Sequence, residues 1–185
     1  MNLVPDKIID KAEDVTIGEY ENCQFKNCNL SNADLSGFKF INCQFISCNL
    51  SLVKFNKSIL QGIKFKDCKL LGILFEKCNP FGLELNFENC NLDHTSFYKL
   101  KLKKTVFKNC QLKETDFTEC DLSHSVFGNC DLTNTKFDNT ILEKADLRGS
   151  FNFLIDPESN KIKKAKFSIG EIKGLLYKYD IDIDH

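Results

Sequence analysis

The 185-residue chain has no tryptophan, one methionine, three prolines and three histidines. Neither sign of charge is in excess, because 25 Lys and Arg residues stand against 26 Asp and Glu residues, so direct nucleic-acid binding is not expected. No apolar run approaches the roughly 18 residues that a membrane span needs. The first residues show no basic start followed by an apolar run, so we find no secretory signal and expect a cytoplasmic protein.

Patterns typical of catalysis and of metal binding are also missing. His94 and His124 are thirty residues apart, and no nucleophile–base pair or phosphate-binding loop is visible. The closest cysteine spacing is five, as in Cys23 and Cys28, whereas zinc sites use CxxC pairs or Cys/His clusters. We therefore expect a non-enzymatic protein without a metal site.

The sequence does have ten cysteines and 17 phenylalanines. An extracellular disulfide framework is one interpretation of the cysteines, but the missing signal peptide argues against it. The other interpretation is that cysteine serves as a small buried apolar residue. We favour this second interpretation and expect free thiols.

A five-residue repeat explains both biases. In residues 105–149 every pentad has Phe or Leu at its centre and a small residue two places earlier, a period that fits neither a helix nor a flat strand. The same pattern begins at Gly18, and four pentads form a larger unit of twenty residues. The central residues then fall into four columns: Phe25, Phe45, Phe65, Phe87, Phe107, Phe127 and Leu147; Leu30, Leu50, Leu70, Leu92, Leu112 and Leu132; Leu35, Phe55, Phe75, Phe97, Phe117 and Phe137; and Tyr20, Phe40, Leu60, Leu102, Leu122 and Leu142.

A twenty-residue unit predicts a solenoid in which each coil has four faces. Successive coils stack as parallel strands roughly 4.8 Å apart, with phenylalanine rings in offset contact inside. A cysteine column, from Cys28 to Cys130, keeps its phase only if residues 79–82 carry a two-residue insertion. Pro80, Phe81 and Gly82 there predict a corner bulge, with Phe81 either exposed for contact with a partner or tucked against the wall.

The two ends depart from the repeat. Residues 1–17 are predicted to be a lead-in or cap, in which Lys7–Lys11 pairs as a short strand or a capping turn. A loop at 150–159 leads to a last half-coil, because Ile162 and Phe167 keep the twenty-residue register. Residues 168–185 are predicted to form a short helix, with a Ser168/Glu171 capping box, followed by a strand at 181–184. This end closes the rod either as an intramolecular lid or as a dimer contact.

The blocks Ala33-Asp34-Leu35 and Ala145-Asp146-Leu147, with Cys- and Thr-bearing variants, resemble the A(D/N)LXX repeat of the pentapeptide repeat family. The resemblance covers about residues 18–149 and 160–169. It implies an all-β fold, a right-handed quadrilateral parallel β-helix over 18–167, with a short C-terminal helix.

A narrower similarity is to the Qnr and MfpA group of quinolone-resistance proteins, through the mid-chain break CNPFGLELNFENC, the late segment IDPESNKIKKAKFS and the terminal helix. This resemblance implies a protein that binds DNA gyrase and topoisomerase IV and mimics duplex DNA. It also implies that the C-terminal segment 168–185 is a homodimerisation module, and that no cofactor is needed. The apolar helix positions would form the dimer interface: Ile172, Leu175, Leu176 and Tyr179.

Charge is uneven along the chain, which bears on DNA mimicry. Residues 111–150 have eight acids against four bases, whereas residues 51–110 have eleven bases against five acids. The acids would form a patch near the carboxyl end of the coils, and the patches of two copies would meet at a C-terminal dimer joint. The candidate partner-binding residues are Glu114, Asp116, Glu119, Asp121, Asp131, Asp138, Glu143 and Asp146. The alternative is that they are ordinary solvated faces of a generic interaction scaffold with another partner.

Overall fold

The computed structural model describes residues 2–182 as a parallel-strand solenoid of about six turns with about 20 residues in each turn. Every strand pairing is parallel. The strands are β1 Asn2–Pro5, β2 Ile8–Asp10, β3 Gly18–Glu21, β4 Gln24–Lys26, β5 Lys39–Ile41, β6 Gln44–Ile46, β7 Ile59–Gln61, β8 Ile63–Lys66, β9 Leu85–Glu88, β10 Val106–Lys108 and β11 Val126–Gly128. The predicted fold class is confirmed.

The four columns of central residues are the four faces of the rod, which we call A, B, C and D in the order given above. Face A is a seven-stranded sheet with the order β11-β10-β9-β8-β6-β4-β2, and face D is a four-stranded sheet with the order β1-β3-β5-β7. Faces B and C are held by single parallel bridges such as Asn49↔Lys69 and Asp116↔Lys136. The coils are therefore joined by backbone hydrogen bonds that run along the rod axis, for example from Leu50 N–H to the carbonyl oxygen of Lys69, 2.8 Å.

Most corners are made by the last residue of a pentad, which adopts a positive φ. Asn89, Asn109 and Asn129 have φ values of 52°, 52° and 55°. Asparagine tolerates this left-handed conformation better than most residues, which explains its frequency at the corners. The three side chains also bond to one another along the axis, at 3.0 Å from Asn109 to Asn89 and 3.1 Å from Asn129 to Asn109.

The interior consists of two stacks of phenylalanine rings that meet edge to face. On face A the ring centroids of Phe87, Phe107 and Phe127 are 5.1 and 4.8 Å apart, with nearly parallel planes. Phe97 of face C meets Phe107 at 6.0 Å and an interplanar angle of 81°. Offset stacking and edge-to-face contact are both favourable for aromatic rings. The predicted ring contact is confirmed.

The small residues beside the rings make hydrogen bonds as well as fill space. The Cys48 thiol donates to the carbonyl oxygen of Phe25 at 3.3 Å, and the Thr135 hydroxyl donates to that of Leu112 at 2.6 Å. Cys, Thr and Ser are interchangeable here because each supplies one donor. All ten cysteines are free and buried, as predicted. Burial raises the pKa of Cys43 to about 11 and that of Cys78 to about 12, so these thiols keep their protons.

The amino-terminal residues continue the coils. β2, within the Lys7–Lys11 segment for which a strand or a turn was expected, pairs with β4, so the strand is the correct alternative. β1 pairs with β3, an additional strand that the sequence pattern did not predict. The offset between paired residues is 16 here, as in Ile9↔Phe25, instead of 20. Because this coil is shorter, a search for twenty-residue periodicity does not detect the segment.

At the other end, residues 150–159 lack regular structure but do not form an exposed loop, because Phe153 and Ile155 are buried. The last half-coil is confirmed by the bridges Ile141↔Lys161 and Asp146↔Lys166. The predicted short helix is present as two 3-10 helices, Ile169–Leu175 and Tyr177–Tyr179, rather than as an α-helix. Two glycines and two isoleucines in the first of them lower its α-helix propensity. None of these helices is long and apolar enough to span a membrane.

The predicted capping box is wrong, since neither Ser168 nor Glu171 caps the helix. Ser168 Oγ accepts the backbone N–H of Gly149 at 2.9 Å, and Glu171 Oε2 accepts that of Asn152 at 3.4 Å. These N–H groups lie where the solenoid has no further coil to supply carbonyl oxygens. The predicted terminal strand at 181–184 is not formed at residues 181–182, and residues 183–185 lie outside the described part.

Candidate partner-binding surfaces

Three side chains of each pentad point outward, and they are the ones that a partner can reach. His94 and His124 lie at exposed corners with φ values of 59° and 61°. Within residues 2–182 no group of three or more His, Cys, Asp or Glu side chains could hold a metal ion. The candidate sites are therefore surfaces, and their chemistry is recognition through charge and apolar contact.

The structure separates the eight predicted acids instead of gathering them into one patch. Face C carries three of them, Asp116, Glu119 and Asp138, while the remaining five are distributed over the other faces. These are Asp146 on face A, Glu114 and Asp131 on face B, and Asp121 and Glu143 on face D. A block of acidic sequence twenty residues long winds once around the rod, so it cannot remain on one side.

Several of these acids are neutralised by a base of the neighbouring coil. Lys99 pairs with Glu119 at 3.3 Å, Lys103 with Asp121 at 3.2 Å and Lys113 with Asp131 at 3.4 Å. Arg148 pairs with Asp146 at 2.6 Å within one pentad, and the hydrogen bond from its guanidinium lowers the Asp146 pKa to about 2. Exposed pairs of this kind contribute little to stability, but they reduce the negative potential that a partner meets.

A basic surface lies on face D beside the acidic face C, and sequence reasoning missed it. Parallel bridges place Lys101, Asp121, Ile141 and Lys161 in one row along the axis. From residue 101 onward this face carries seven lysines against two acids: Lys101, Lys103, Lys104, Lys144, Lys161, Lys163 and Lys164, against Asp121 and Glu143. Counting charge in the twenty-residue register, instead of in linear blocks, would have found it.

The insertion corner presents a large apolar side chain to solvent. Phe81 is 77% exposed, so of the two expected alternatives the exposed one is correct. The Asn79 side chain accepts the N–H of Phe81 at 2.9 Å and fixes the turn. Gly82 has a φ of +67°, which glycine adopts without strain, and a Cβ there would displace the Gln61 amide, so the corner favours glycine. Pro80, Phe81 and Gly82 thus remain candidates for a contact.

The predicted dimer-interface residues do not share one free face. Ile172 and Tyr179 are about half exposed, but Leu175 packs against the chain's own core and Leu176 is half-buried. Tyr179 donates its hydroxyl hydrogen to Glu158 at 2.8 Å. An apolar residue outside the predicted set, Ile169, is 90% exposed. Part of the closing segment therefore packs as an intramolecular lid, and its exposed side combines Ile172 and Tyr179 of the predicted set with Ile169.

Stacked four-sided coils with a closed apolar interior define the class of the molecule as a parallel β-solenoid of five-residue repeats. A family model for the pentapeptide repeat region matches residues 19–86 and 83–151. The chain belongs to the pentapeptide repeat family.

Solved structures of QnrB1, a plasmid-mediated fluoroquinolone resistance protein, have the same fold over almost the whole chain. A trypsin-treated form is 23% identical, covers 99% of this chain and 98% of its own, and gives a TM-score of 0.59. The full-length form is 21% identical, covers 97% of this chain and 100% of its own, and also gives 0.59. No curated protein matches the sequence. At this level of identity the similarity establishes the fold.

Proposed function

We propose that this chain is a non-enzymatic protein that binds DNA gyrase or topoisomerase IV and protects the enzyme against fluoroquinolones. The observation that carries the proposal is the agreement in fold with QnrB1 over 97–99% of the chain, including both ends. Phenylalanine and leucine side chains fill the interior of residues 2–182, so the outward surfaces are what a partner can reach, which supports a role in binding.

The binding surface in this proposal is face C. Asp116, Glu119 and Asp138 lie on this face in two successive coils, roughly 4.8 Å apart along the axis. They present carboxylates to a basic groove that normally holds DNA phosphates. Asp121, Asp131 and Asp146 belong to other faces, so we assign them a smaller contribution.

A homodimer through the carboxyl-terminal segment is the second part of the proposal. Ile169, Ile172 and Tyr177 are exposed apolar residues of the two 3-10 helices, and a second copy would bury them. Replacing Ile169 and Ile172 by Asp is expected to halve the mass measured by light scattering. Unchanged mass would contradict this interface. Leu175 is unsuitable for the test because it also supports the core.

A gyrase supercoiling assay with ciprofloxacin tests the proposal directly. Wild-type protein is expected to restore supercoiling, whereas a triple variant, Asp116→Asn, Glu119→Gln and Asp138→Asn, is expected to lose most of this protection. The matched control neutralises acids of the other faces: Glu114→Gln, Asp131→Asn and Asp146→Asn. No rescue and no binding by the wild type would reject the proposal, and equal loss in both triple variants would reject face C.

A generic scaffold with a different protein partner is the second candidate. The observation that favours it is the lysine-rich part of face D, because a DNA mimic should be negative along its sides. A pull-down that returns topoisomerase subunits as the main specific partners would count against this candidate.

A further inference from the structure

One corner of the rod carries a leucine where the backbone disfavours it. Leu52 has a φ of +59° and is 55% exposed. It is the one apolar side chain among the non-glycine residues with positive φ in the described part of the chain. The equivalent corner positions of neighbouring coils hold residues that suit this conformation or are polar: Asn32, Gly72, His94, Glu114 and Asn134. A strained and exposed apolar residue is a sign of selection for something other than stability.

Leu52 is the centre of an apolar patch. Gly72, one coil further on, leaves room for it, since a Cβ at Gly72 would lie 2.8 Å from a Leu52 methyl carbon. Leu74 beside it is 48% exposed. Leu52 and Leu74 line a groove of about 390 Å³, which has Lys54 on its edge. The groove is large enough to receive one apolar side chain of a partner.

The charge around the patch selects the kind of partner. In the two coils that carry it, residues 48–57 and 68–77, faces B and C have four lysines and one acid. The lysines Lys54, Lys57, Lys69 and Lys77 are exposed, whereas the acid, Glu76, is only half-exposed, with Oε2 buried. Asp34 of the preceding coil lies beside Lys54, so the positive charge of the patch comes mainly from the other three lysines. Lysines around an apolar groove complement a peptide in which carboxylates flank an apolar residue.

We propose that the Leu52 patch, made of Leu52, Gly72, Leu74 and the four surrounding lysines, is a docking site for an acidic protein segment that inserts one apolar side chain. The patch lies on the corner between faces B and C, away from the acids of face C in later coils. It is independent of the topoisomerase proposal, and either one can fail without the other.

The first test separates a binding role from a structural one. Leu52→Asn places a residue that tolerates positive φ at the corner, so we expect the thermal midpoint to rise by about 2–4 °C. His124→Asn is the matched control, because His124 has the same conformation, φ +61°, and is exposed on another corner. A lower thermal midpoint for Leu52→Asn would show that Leu52 supports the fold and would overturn the proposal.

The second test uses a displayed library of random dodecapeptides with the wild-type protein as bait. We expect enriched peptides to have Leu, Ile or Phe between Asp and Glu residues, and to bind Leu52→Asn at least tenfold more weakly. Binding to His124→Asn is expected to be unchanged, while Lys54→Glu with Lys69→Glu is expected to abolish it. No enrichment, or peptides that bind wild type and Leu52→Asn equally, would overturn the proposal. A change of mass in light scattering for Leu52→Asn would do the same, because the occupant would then be a second copy.

Discussion

The regular coils of residues 87–147 and the closing segment of residues 150–182 both bury phenylalanine, but they hold it differently. Phe107 in the coils meets four other rings, two stacked and two edge to face. Phe153 in the closing segment meets one ring, that of Phe167, at 5.5 Å and a tilt of 47°. A coil is stabilised by near-identical neighbours on both sides, whereas the end is stabilised by individual contacts that occur once.

The largest expected effect comes from breaking the ring stack. Phe107→Ala should lower the free energy of unfolding by about 3–5 kcal/mol, because the cavity lies between two coils that cannot close on it. Phe153→Ala should cost less than Phe107→Ala, since the irregular segment around it can collapse into the space. Urea unfolding of the two variants measures the difference. Equal losses would show that the end is packed as tightly as the coils.

The next largest effect is expected from a change that weakens docking of the closing segment and leaves the coils intact. A Cβ at Gly174 would overlap the carbonyl oxygen of Phe153, and the Gly174 carbonyl accepts the N–H of Ile155 at 2.9 Å. Gly174→Ala should therefore weaken docking by about 1–3 kcal/mol and speed hydrogen exchange in residues 168–180, with exchange in the coils unchanged. Gly170→Ala is the control, because a Cβ there meets no atom within 4 Å. Equally fast exchange in both variants would mean that the close contact at Gly174 is not what holds the segment in place, because a Cβ at Gly170 meets no neighbouring atom.

The same comparison explains which parts of the fold could be predicted from the sequence. In the coils each residue's environment is set by its phase, so the Phe and Leu columns, the free thiols and the coil register all follow from counting in twenties. Ser168 and Glu171 matched a capping box, but the orphan N–H groups of Gly149 and Asn152 compete for their oxygen atoms. This competition arises because the solenoid ends there and supplies no carbonyl oxygens for these N–H groups. The spacing of residues in the sequence does not show where that end lies in the fold.

The candidate surfaces are less predictable for a related reason. The eight acids fall within one stretch of sequence, residues 114–146, but lie on four faces, while the lysines of face D come from three separate stretches, 101–104, 144 and 161–164, and share one face. Phe81 is exposed because the insertion moves it out of the wall. The sequence alone was compatible with either an exposed or a buried Phe81. The twenty-residue register thus decides which charged residues share a surface. Polar residues must therefore be assigned to faces in that register, just as the apolar residues are.

A smaller effect is expected from the removal of one hydrogen bond between the closing segment and the preceding coil. Ser168→Ala removes the acceptor for the Gly149 N–H and should cost about 1 kcal/mol. Because the contact is to the preceding coil, the amide of Gly149 should exchange faster while the amides of residues 170–173 keep their rates. Ser168→Thr retains the hydroxyl and should restore slow exchange at Gly149. If the helix amides respond instead, Ser168 acts as a cap after all.

The smallest effect concerns an ion pair at the joint between the two regions. Asp146 pairs with Arg148 at 2.6 Å and lies 3.7 Å from Lys166 of the closing half-coil. Its pKa is lowered from 3.8 to about 2, so the folded state favours the charged carboxylate. The resulting stabilisation is fully present above pH 4 and is lost as the pH falls through about 2.

Asp146→Asn should therefore reduce the loss of stability between about pH 4 and pH 2 by less than about 1 kcal/mol, the usual size for an exposed pair. Acid titration of the unfolding free energy, with Arg148→Gln as the partner variant, measures this difference. If both variants flatten the same pH range and the double variant adds nothing, the pair itself is the cause. If Arg148→Gln leaves the pH profile unchanged, Lys166 supplies the interaction, and the carboxylate then joins the coils to the closing segment.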